Sequence, residues 1–243
     1  MIKAAFDNFL NFFFPARCKI CLHPLRSYQE KYVCARCLSE IETISCYCQK
    51  CGLPLSPSFA EIKDPLCEPC QRKKRQFHLS RSAAPFFGNV RECIHLFKYS
   101  KKMALAKPLG DLMLKALFSF WPDLEIDLIL PVPLHPDKED SRGFNQAYLL
   151  ARQISKSIKV PAVKSNLQRI VNTASQTSLS PKERLKNVKG AFKIKRPEAL
   201  AGKKILLIDD VFTTGATVEE CSRILKAAGV REVNVFTLAR TVP

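Results

Sequence analysis

One stretch near the end of the sequence, residues 204–229, constrains the fold more than any other part of this 243-residue chain. It begins with an apolar run that is too short for a helix, and two adjacent acids, Asp209 and Asp210, follow that run. This order is typical of a strand buried on both faces of a parallel sheet. Apolar residues then recur with helical spacing until a glycine. The sequence therefore predicts a strand at 204–208, a loop of small residues and a helix at 217–228.

The loop between this strand and this helix has the composition of an anion-binding site. It consists of small residues, most of them carrying hydroxyl groups: Thr213, Thr214, Gly215, Ala216 and Thr217. At such a junction the loop amides and the helix N-terminus point their N–H donors in one direction, which suits a phosphate. The carboxylates of Asp209 and Asp210 repel phosphate but suit hydroxyl groups or a magnesium ion. Phosphate beside a vicinal diol describes a ribose 5-phosphate, and the plainer alternative is an ordinary strand-turn-helix with an acidic start.

Eight of the eleven cysteines occur as four Cys-x-x-Cys knuckles: Cys18, Cys21, Cys34, Cys37, Cys48, Cys51, Cys67 and Cys70. Each knuckle can place two sulfurs on one metal, and two knuckles complete a tetrahedral four-thiolate site. The spacing therefore predicts a double zinc ribbon with two structural zinc ions, which stabilise the fold and do no chemistry. We expect sequential pairing of the knuckles. A crossed pairing of the first with the third, or the replacement of Cys48 by Cys46, is the alternative.

Strands that alternate with helices along the rest of the chain predict an α/β fold with a parallel, doubly wound sheet. The expected strands are at 83–87, 127–133, 204–208 and 232–238, with a short strand or hairpin arm at 191–194. The expected helices are at 90–97, 103–120, 144–158 and 217–228. Cys93 falls on the apolar face of its helix, so we expect a core thiol. Ligands of such sheets bind at the carboxyl ends of the strands.

The same patterns predict the domain boundaries. Residues 1–17 have the spacing of an amphipathic helix, which we expect to pack on the next domain because it lacks a basic face for anionic lipid. Residues 18–75 hold the zinc ribbon, and the basic run at their end, 72–75, is typical of a linker. The sheet domain is expected to occupy 80–243.

Composition limits where the protein is expected to be located and which partners it is expected to bind. The sequence contains no run of eighteen apolar residues and no charged region before a cleavable signal, so we expect a cytoplasmic protein without a transmembrane segment. The formal net charge is +17, and residues 137–204 alone carry 16 Lys and Arg against 5 Asp and Glu. Such an excess favours anionic partners, either phosphorylated small molecules or nucleic acid, over a merely solvated basic surface.

Another stretch has the features of a second anion site. The predicted strand at 127–133 ends in Pro-Val-Pro, and a proline-fixed turn then leads to a helix. A helix N-terminus in that position would face the first site from the neighbouring strand end. His135 in the turn could act as a base, although a lone loop histidine is more often simply polar.

The residues from Asp209 to Thr217 closely resemble the signature with which type I phosphoribosyltransferases bind phosphoribosyl diphosphate (PRPP). The resemblance implies that the two acids hold the ribose hydroxyls, that residues 213–217 hold the 5-phosphate, and that Mg²⁺ accompanies PRPP. It also implies that Arg142 and the loop amides of residues 134–143 receive the pyrophosphate. The stretch 169–187 would be the mobile catalytic lid, with a flexible surface loop as its alternative. The candidate catalytic residues are thereby Arg142, Arg169 and Arg184.

The order of the motifs extends this resemblance to nearly the whole chain. A double zinc ribbon, the Pro-Val-Pro segment, Arg-Gly-Phe-Asn-Gln and the PRPP signature follow one another. The chain resembles the ComF family of double zinc ribbon proteins, which is linked with natural competence and DNA uptake. The Pro-Val-Pro segment also resembles that of glutamine PRPP amidotransferases, but Leu-His-Pro-Asp-Lys-Glu-Asp replaces their small polar loop.

Two functions agree with these features. The first is phosphoribosyl transfer from Mg²⁺-PRPP to an acceptor that the sequence does not identify. The second is a non-enzymatic competence factor that binds single-stranded DNA or a helicase, with PRPP as a regulator or the site as a relic. Phe77, Phe86 and Phe87 near basic residues could stack on bases, although aromatics at strand spacing more often belong to the core.

Overall fold

The structure is a computed structural model that describes residues 16–25, 30–59, 61–100, 102–172, 183 and 187–242. The helix predicted at 1–17 lies almost entirely outside these residues. Most of the predicted lid, including Arg184, also lies outside them. No helix in the described part of the chain is long and apolar enough to cross a membrane.

A parallel sheet forms the centre of the described chain. The strands, in chain order, are β1 (Ser80–Pro85), β2 (Leu128–Pro131), β3 (Leu167–Arg169), β4 (Phe192–Ile194), β5 (Lys204–Phe212) and β6 (Glu232–Arg240). Four of them pair in the order β1-β6-β5-β2, all parallel, and a bridge between Ile129 and Ala162 continues the sheet beyond β2. β3 and β4 form a separate antiparallel pair, which confirms the predicted hairpin arm.

The helices described by the structure connect these strands. They are α1 (Ala35–Ser39), α2 (Glu68–Arg72), α3 (Gly88–Tyr99), α4 (Ala106–Phe120), α5 (Pro136–Arg142), α6 (Gln146–Ile158) and α7 (Ala216–Ala227). Short 3₁₀ turns occur at Pro57–Phe59, Met103–Leu105 and Pro197–Ala199. The helices of the sheet domain thus lie close to their predicted bounds, with the exception of α5.

The sheet is covered on both faces, as a doubly wound fold requires. Successive residues of β5 point to opposite faces, and they are fully buried in two different clusters. Leu206 and Ile208 pack with the apolar residues of α3, α4 and α6. Ile205 and Leu207 pack with α7 and with the β3–β4 pair. The predicted core thiol, Cys93, is fully buried in the first cluster.

The segment between β2 and α6 differs from its prediction. Residues expected to form a loop make helix α5, which starts with Pro136 at a position where proline is favoured. The following helix was expected to begin at residue 144, directly after Gly143, but Gly143, with φ of 87°, ends α5 in the left-handed region. Asn145 opens α6 instead, because its side chain accepts a hydrogen bond from the backbone N–H of Tyr148.

The two zinc ribbons pack on opposite faces of the sheet domain. Cysteines of the first ribbon share a core cluster with α3, and Asn89 at the start of α3 donates to the carbonyl oxygen of Cys37 at 2.9 Å. Cysteines of the second ribbon belong to the cluster of α7. The second ribbon also touches β1, since the N–H of Ser80 donates to the carbonyl oxygen of Lys50 at 3.0 Å. The ribbons are therefore parts of the packed molecule, joined to the sheet by hydrogen bonds.

Candidate functional site

A cleft of about 230 Å³ opens at the carboxyl ends of β5 and β2. Its walls come from the end of α3, the segment from β2 to α6, Arg169 of β3, and the junction of β5 with α7. This is the position in which ligands bind to open parallel sheets. The structure thus brings together the two anion sites that the sequence predicted separately.

Two adjacent carboxylates, Asp209 and Asp210, line the cleft at the end of β5. The backbone N–H of Asp210 donates to Oδ1 of Asp209 at 2.8 Å. Nζ of Lys98, from the last turn of α3, lies 2.8 Å from Oδ2 of Asp210, and only 20% and 13% of these two side chains are exposed. A shielded lysine therefore compensates the charge of Asp210. None of the ion pairs between described residues involves Asp209.

The protonation of Asp209 reflects this difference. Burial, and then the negative charge of Asp210, raise the pKa of Asp209 to about 7, while Lys98 and Arg169 act in the opposite direction. A carboxyl with a pKa near neutrality responds to any ligand that stabilises its charge. Hydroxyl donors or a cation bound at Asp209 would therefore favour the ionised form.

The loop between β5 and α7, residues 213–215, turns sharply at Gly215. The φ of Gly215 is 80°, in the left-handed region that favours glycine, and this residue is the N-cap of the twelve-residue helix α7. A Cβ atom on Gly215 would lie only 2.5 Å from Cζ of Phe212, so an aromatic ring already fills the adjacent space. The backbone N–H of Ala216 donates to Oγ1 of Thr214 at 3.4 Å. This β5–α7 loop therefore brings a helix N-terminus to the cleft, where N–H donors can meet an anion.

Three cations, Lys138, Arg142 and Arg169, also line the cleft, and we call them the basic wall. Nη1 of Arg142 donates to Oε1 of Gln146 at 2.6 Å. Burial, and then the charges of Arg169 and Arg142, lower the pKa of Lys138. The two arginines thus add to the effect of burial by disfavouring the charged form of Lys138, and a multiply charged anion beside these cations would offset that repulsion.

A buried amide completes this part of the cleft. Gln146 is only 1% exposed, and its Nε2 has no hydrogen-bond partner among the described residues. A buried donor without a partner carries a free-energy cost that a ligand oxygen can remove. The neighbouring Asn145 bonds within the protein, since its Nδ2 donates to the carbonyl oxygen of Val132 at 3.0 Å and its Oδ1 accepts from the N–H of Tyr148.

The structure brings most of the predicted site residues into one place. Among those lining the cleft are Asp209, Asp210, Thr213, Gly215, Ala216, Thr217, Arg142 and Arg169. Thr214 belongs to the same loop and holds Ala216. His135 does not line the cleft. Its Nδ1 accepts from the N–H of Asp137 and caps α5, so the structure gives it no role as a base.

Sequence reasoning assigned no role to Lys98, Lys138 or Gln146. Lys98 follows directly after the apolar residues of α3, and nothing in its neighbourhood in the sequence points to Asp210. A signal for Lys138 existed, because Pro136 with the acids of the following turn is typical of a helix start. That helix would have placed Lys138 and Arg142 one turn apart on one face.

The cysteines form two groups, each with its four sulfur atoms within 4.8 Å of one another. Site 1 consists of Cys18, Cys21, Cys34 and Cys37, and site 2 of Cys48, Cys51, Cys67 and Cys70. The predicted sequential pairing is confirmed, and the crossed pairing is wrong. Cys46 stays outside site 2, with its sulfur 3.5 Å from the carbonyl oxygen of Ser56. Four thiol ligands at this spacing fit tetrahedral structural zinc.

The fold and the site together define a phosphoribosyltransferase-like domain joined to a double zinc ribbon. Family models for the Double zinc ribbon domain and the Phosphoribosyl transferase domain match residues 9–71 and 140–241. Competence protein F of Haemophilus influenzae is 30% identical over 237 residues, which cover 96% of this chain and 99% of that protein. The chain therefore belongs to the ComF family.

Two other relatives agree with this assignment. Competence protein ComFC of Bacillus subtilis is 30% identical over 217 residues, which cover 87% of this chain and 85% of that protein. The DNA utilization protein YhgH of Escherichia coli is 29% identical over 231 residues, with coverage of 94% and 98%.

Solved structures are more distant. Adenine phosphoribosyltransferase from Saccharomyces cerevisiae has a TM-score of 0.37 at 15% identity, and the match covers 57% of this chain and 69% of that one. Glutamine PRPP amidotransferase from B. subtilis has a TM-score of 0.40 at 16% identity, over 60% of this chain and 30% of that one.

Proposed function

We propose that this chain binds PRPP as its magnesium complex in the cleft between β5 and β2. Asp209 and Asp210 would accept hydrogen bonds from the ribose hydroxyls, and the β5–α7 loop would donate N–H groups to the 5-phosphate. The basic wall and the buried amide of Gln146 would meet the pyrophosphate. The observation that supports this most is the arrangement around one cleft of an acidic pair, a helix N-terminus and three cations.

The acidic pair also fits a magnesium ion. Mg²⁺ prefers oxygen ligands and is commonly held by one or two carboxylates together with the phosphates of its substrate. When bound, the ion neutralises charge on the pyrophosphate and helps it to leave. Asp209 is the better candidate ligand, because Lys98 already neutralises Asp210.

Transfer of the phosphoribosyl group is the reaction that such a complex supports. The bond between ribose C1 and the pyrophosphate oxygen breaks, a bond from C1 to the acceptor nucleophile forms, and the acceptor releases its proton. Arg142 and Arg169 would stabilise the leaving pyrophosphate, together with Arg184 from outside the described residues. Since His135 is a cap and no other histidine lines the cleft among the described residues, we expect an acceptor whose nucleophile reacts without a histidine base and passes its proton to the departing pyrophosphate or to water.

The relatives suggest a setting for this activity. Their names refer to competence and to DNA utilization. We therefore propose that this chain acts in DNA uptake in the cytoplasm, where its excess of basic residues suits single-stranded DNA or a DNA-bound helicase. Phe77 is fully buried and Phe86 is partly buried against the core, so Phe87, 49% exposed, is the most accessible of the three predicted stacking residues.

Isothermal titration with Mg²⁺-PRPP tests the proposal. The wild type should bind, and Asp209→Asn and Asp210→Asn should each weaken binding about tenfold to a hundredfold, because a charge-assisted hydrogen bond contributes roughly 1.5–3 kcal/mol. Asp111→Asn is the control, since Asp111 is exposed and pairs with Lys107 on α4. Equal binding by all variants would show that the acids do not hold the ribose, and no binding by the wild type would refute the proposed function.

Pyrophosphate release separates the two functions. Turnover of PRPP with a candidate acceptor, measured with and without single-stranded DNA, supports the transferase. Binding without turnover under every condition favours the competence factor in which PRPP is a regulator.

A further inference from the structure

Zinc site 2 is connected to the β5–α7 loop through Arg240, the last residue of β6. Nη1 of Arg240 donates to the carbonyl oxygen of Cys51 at 2.6 Å, and Nη2 lies 3.6 Å from Sγ of the same cysteine. The guanidinium carbon lies 4.0 Å from the centre of the Phe212 ring. That ring fills the space next to Gly215. A continuous series of contacts therefore runs from a zinc ligand to the turn of the loop.

A second series of contacts reaches the same loop through Arg75. Nε of Arg75 donates to Sγ of Cys70 at 3.4 Å, and Nη1 donates to Oε1 of Glu219 at 3.1 Å. The other oxygen of Glu219 accepts from the backbone N–H of Gln76 at 2.8 Å. Glu219 lies in the first turn of α7, where its own N–H donates to the carbonyl oxygen of Gly215 at 2.9 Å. The expected linker at 72–75 thus ends in an anchored residue.

Both arginines are shielded from water, which strengthens these contacts. Arg240 is 5% exposed, and only 13% and 15% of the Arg75 and Glu219 side chains are exposed. A guanidinium group lost from such a position leaves buried partners unsatisfied. Its planar shape also lets Arg240 stack on Phe212 while it donates to Cys51, which lysine cannot imitate.

Site 1 differs from site 2 in this respect. The hydrogen bond between Asn89 and Cys37 joins site 1 to the start of α3, whereas Lys98 at the opposite end of that helix faces the cleft. The length of α3 separates the two. Site 2 is therefore joined to the β5–α7 loop by two short series of contacts. Site 1 lies at the far end of α3 and can serve as a control for effects of the loop on zinc binding.

We propose that Arg75 and Arg240 are positioning residues that couple zinc occupancy of site 2 to the geometry of the β5–α7 loop. A zinc ion with four thiolates carries a net charge of about −2, which complements two arginines and fixes the atoms to which they donate. This inference depends on the proposed function, because it assigns a sugar phosphate to the loop. Reciprocity then requires that ribose 5-phosphate tighten zinc at site 2 and that zinc tighten ribose 5-phosphate.

The test is the rate of zinc release to a coloured chelator, with and without saturating ribose 5-phosphate. Because differences in affinity are expressed mostly in the dissociation rate, release from site 2 should slow by about fivefold or more, while release from site 1 stays unchanged. We expect zinc release to show two kinetic phases, one for each site. The variants Cys21→Ser and Cys70→Ser show which phase belongs to which site, because each removes the partly exposed cysteine of one site. Arg75→Gln and Arg240→Gln keep all eight ligands and should abolish the slowing. Arg223→Gln on α7 is the matched control, since the Arg223 guanidinium donates to Glu220 on the same helix and not to a cysteine of site 2.

The outcomes distinguish this inference from the proposed function. If calorimetry detects ribose 5-phosphate binding but zinc release does not change, the coupling is refuted and the ligand assignment stands. If neither ribose 5-phosphate nor PRPP binds, the proposed function fails, and amide hydrogen exchange of residues 211–219 decides the coupling alone. Faster exchange in Arg75→Gln and Arg240→Gln than in Arg223→Gln supports it, and equal exchange in all three overturns it.

Discussion

Asp209 makes the stability of the free protein depend on pH. Its pKa rises from 3.8 to about 7, mainly because burial disfavours the charge. A raised carboxyl pKa contributes stability that is complete below the ordinary pKa and is lost as the pH rises through the folded value. The Tm of the free protein should therefore fall between about pH 4 and pH 7 through this group, and Asp209→Asn should remove that part of the fall.

Thermal unfolding of the two proteins at several pH values measures this effect. At pH 8, the Asn variant should be more stable by roughly 1 kcal/mol or more, a few degrees in Tm. Saturating Mg²⁺-PRPP should reverse the order, since only the carboxylate stabilises the ligand fully. An Asn variant that is less stable than the wild type at pH 8 without ligand would contradict the assignment.

Gly215 is the residue at which the loop tolerates least change. Gly215→Ala meets two obstacles, a left-handed backbone and a Phe212 atom 2.5 Å from the new Cβ. We expect a loss of roughly 2 kcal/mol or more in the free energy of unfolding, together with weaker ribose 5-phosphate binding. Gly202→Ala is the control, because Gly202 has φ of 72° but open space around its Cβ position, so it should lose only about 1 kcal/mol. If urea unfolding gave equal losses of stability for the two variants, the Phe212 ring would have to move aside without a cost in free energy.

At the scale of elements, α5 and α6 together position Arg142. We expect Arg142→Gln to weaken PRPP binding about tenfold to a hundredfold while leaving ribose 5-phosphate binding almost unchanged, because only PRPP carries the pyrophosphate that we propose to meet the basic wall. Arg152→Gln, on the exposed side of α6, should change neither affinity. Calorimetry with both ligands measures the difference. A parallel loss for both ligands would place Arg142 at the 5-phosphate instead.

The elements that the sequence predicted well are those whose signals are local. β5, its loop and α7 follow one another within a single stretch, and the apolar period changes visibly at Gly215. The strand nevertheless extends to Phe212, beyond the predicted end, because β6 supplies pairing partners as far as Arg240. The Lys98–Asp210 ion pair could not be predicted, since it joins residues from distant parts of the sequence through the tertiary fold. Helix α5 was missed although its N-terminal proline signalled it.

The whole molecule shares its core with the metal sites. Ribbon cysteines belong to both apolar clusters, and buried arginines of β1 and β6 donate to Gln49 and Cys51. The spacing of the cysteines predicted the zinc ligands. It could not predict how the ribbons dock on the sheet domain, because that docking depends on the surfaces of β1, β6 and α3. The sequence predicted a ribbon domain that ends in a linker at 72–75, and the structure packs the ribbons against the sheet and joins Arg75 to Glu219.

Removal of zinc should consequently affect the entire protein. We expect a strong chelator to lower the Tm of the sheet domain as well as that of the ribbons, because the unfolded ribbons would expose apolar surface on both faces of the sheet. Hydrogen exchange in β1 and β6, compared before and after chelation, localises the effect. A sheet domain whose exchange and Tm do not change after zinc removal would show that it is independent of the ribbons.

The strand order has a consequence for synthesis on the ribosome. β1 pairs only with β6 among the described strands, and β6 follows every other described element in the chain. While the polypeptide emerges from the ribosome, the edge of β1 that pairs with β6 stays unpaired until residues 232–240 have been synthesised. The surface on which the second ribbon docks is incomplete during the same interval. A ribbon that closes early around its own metal can remain compact during that interval. The metal would thus protect a nascent chain from misassembly before the sheet exists to hold it.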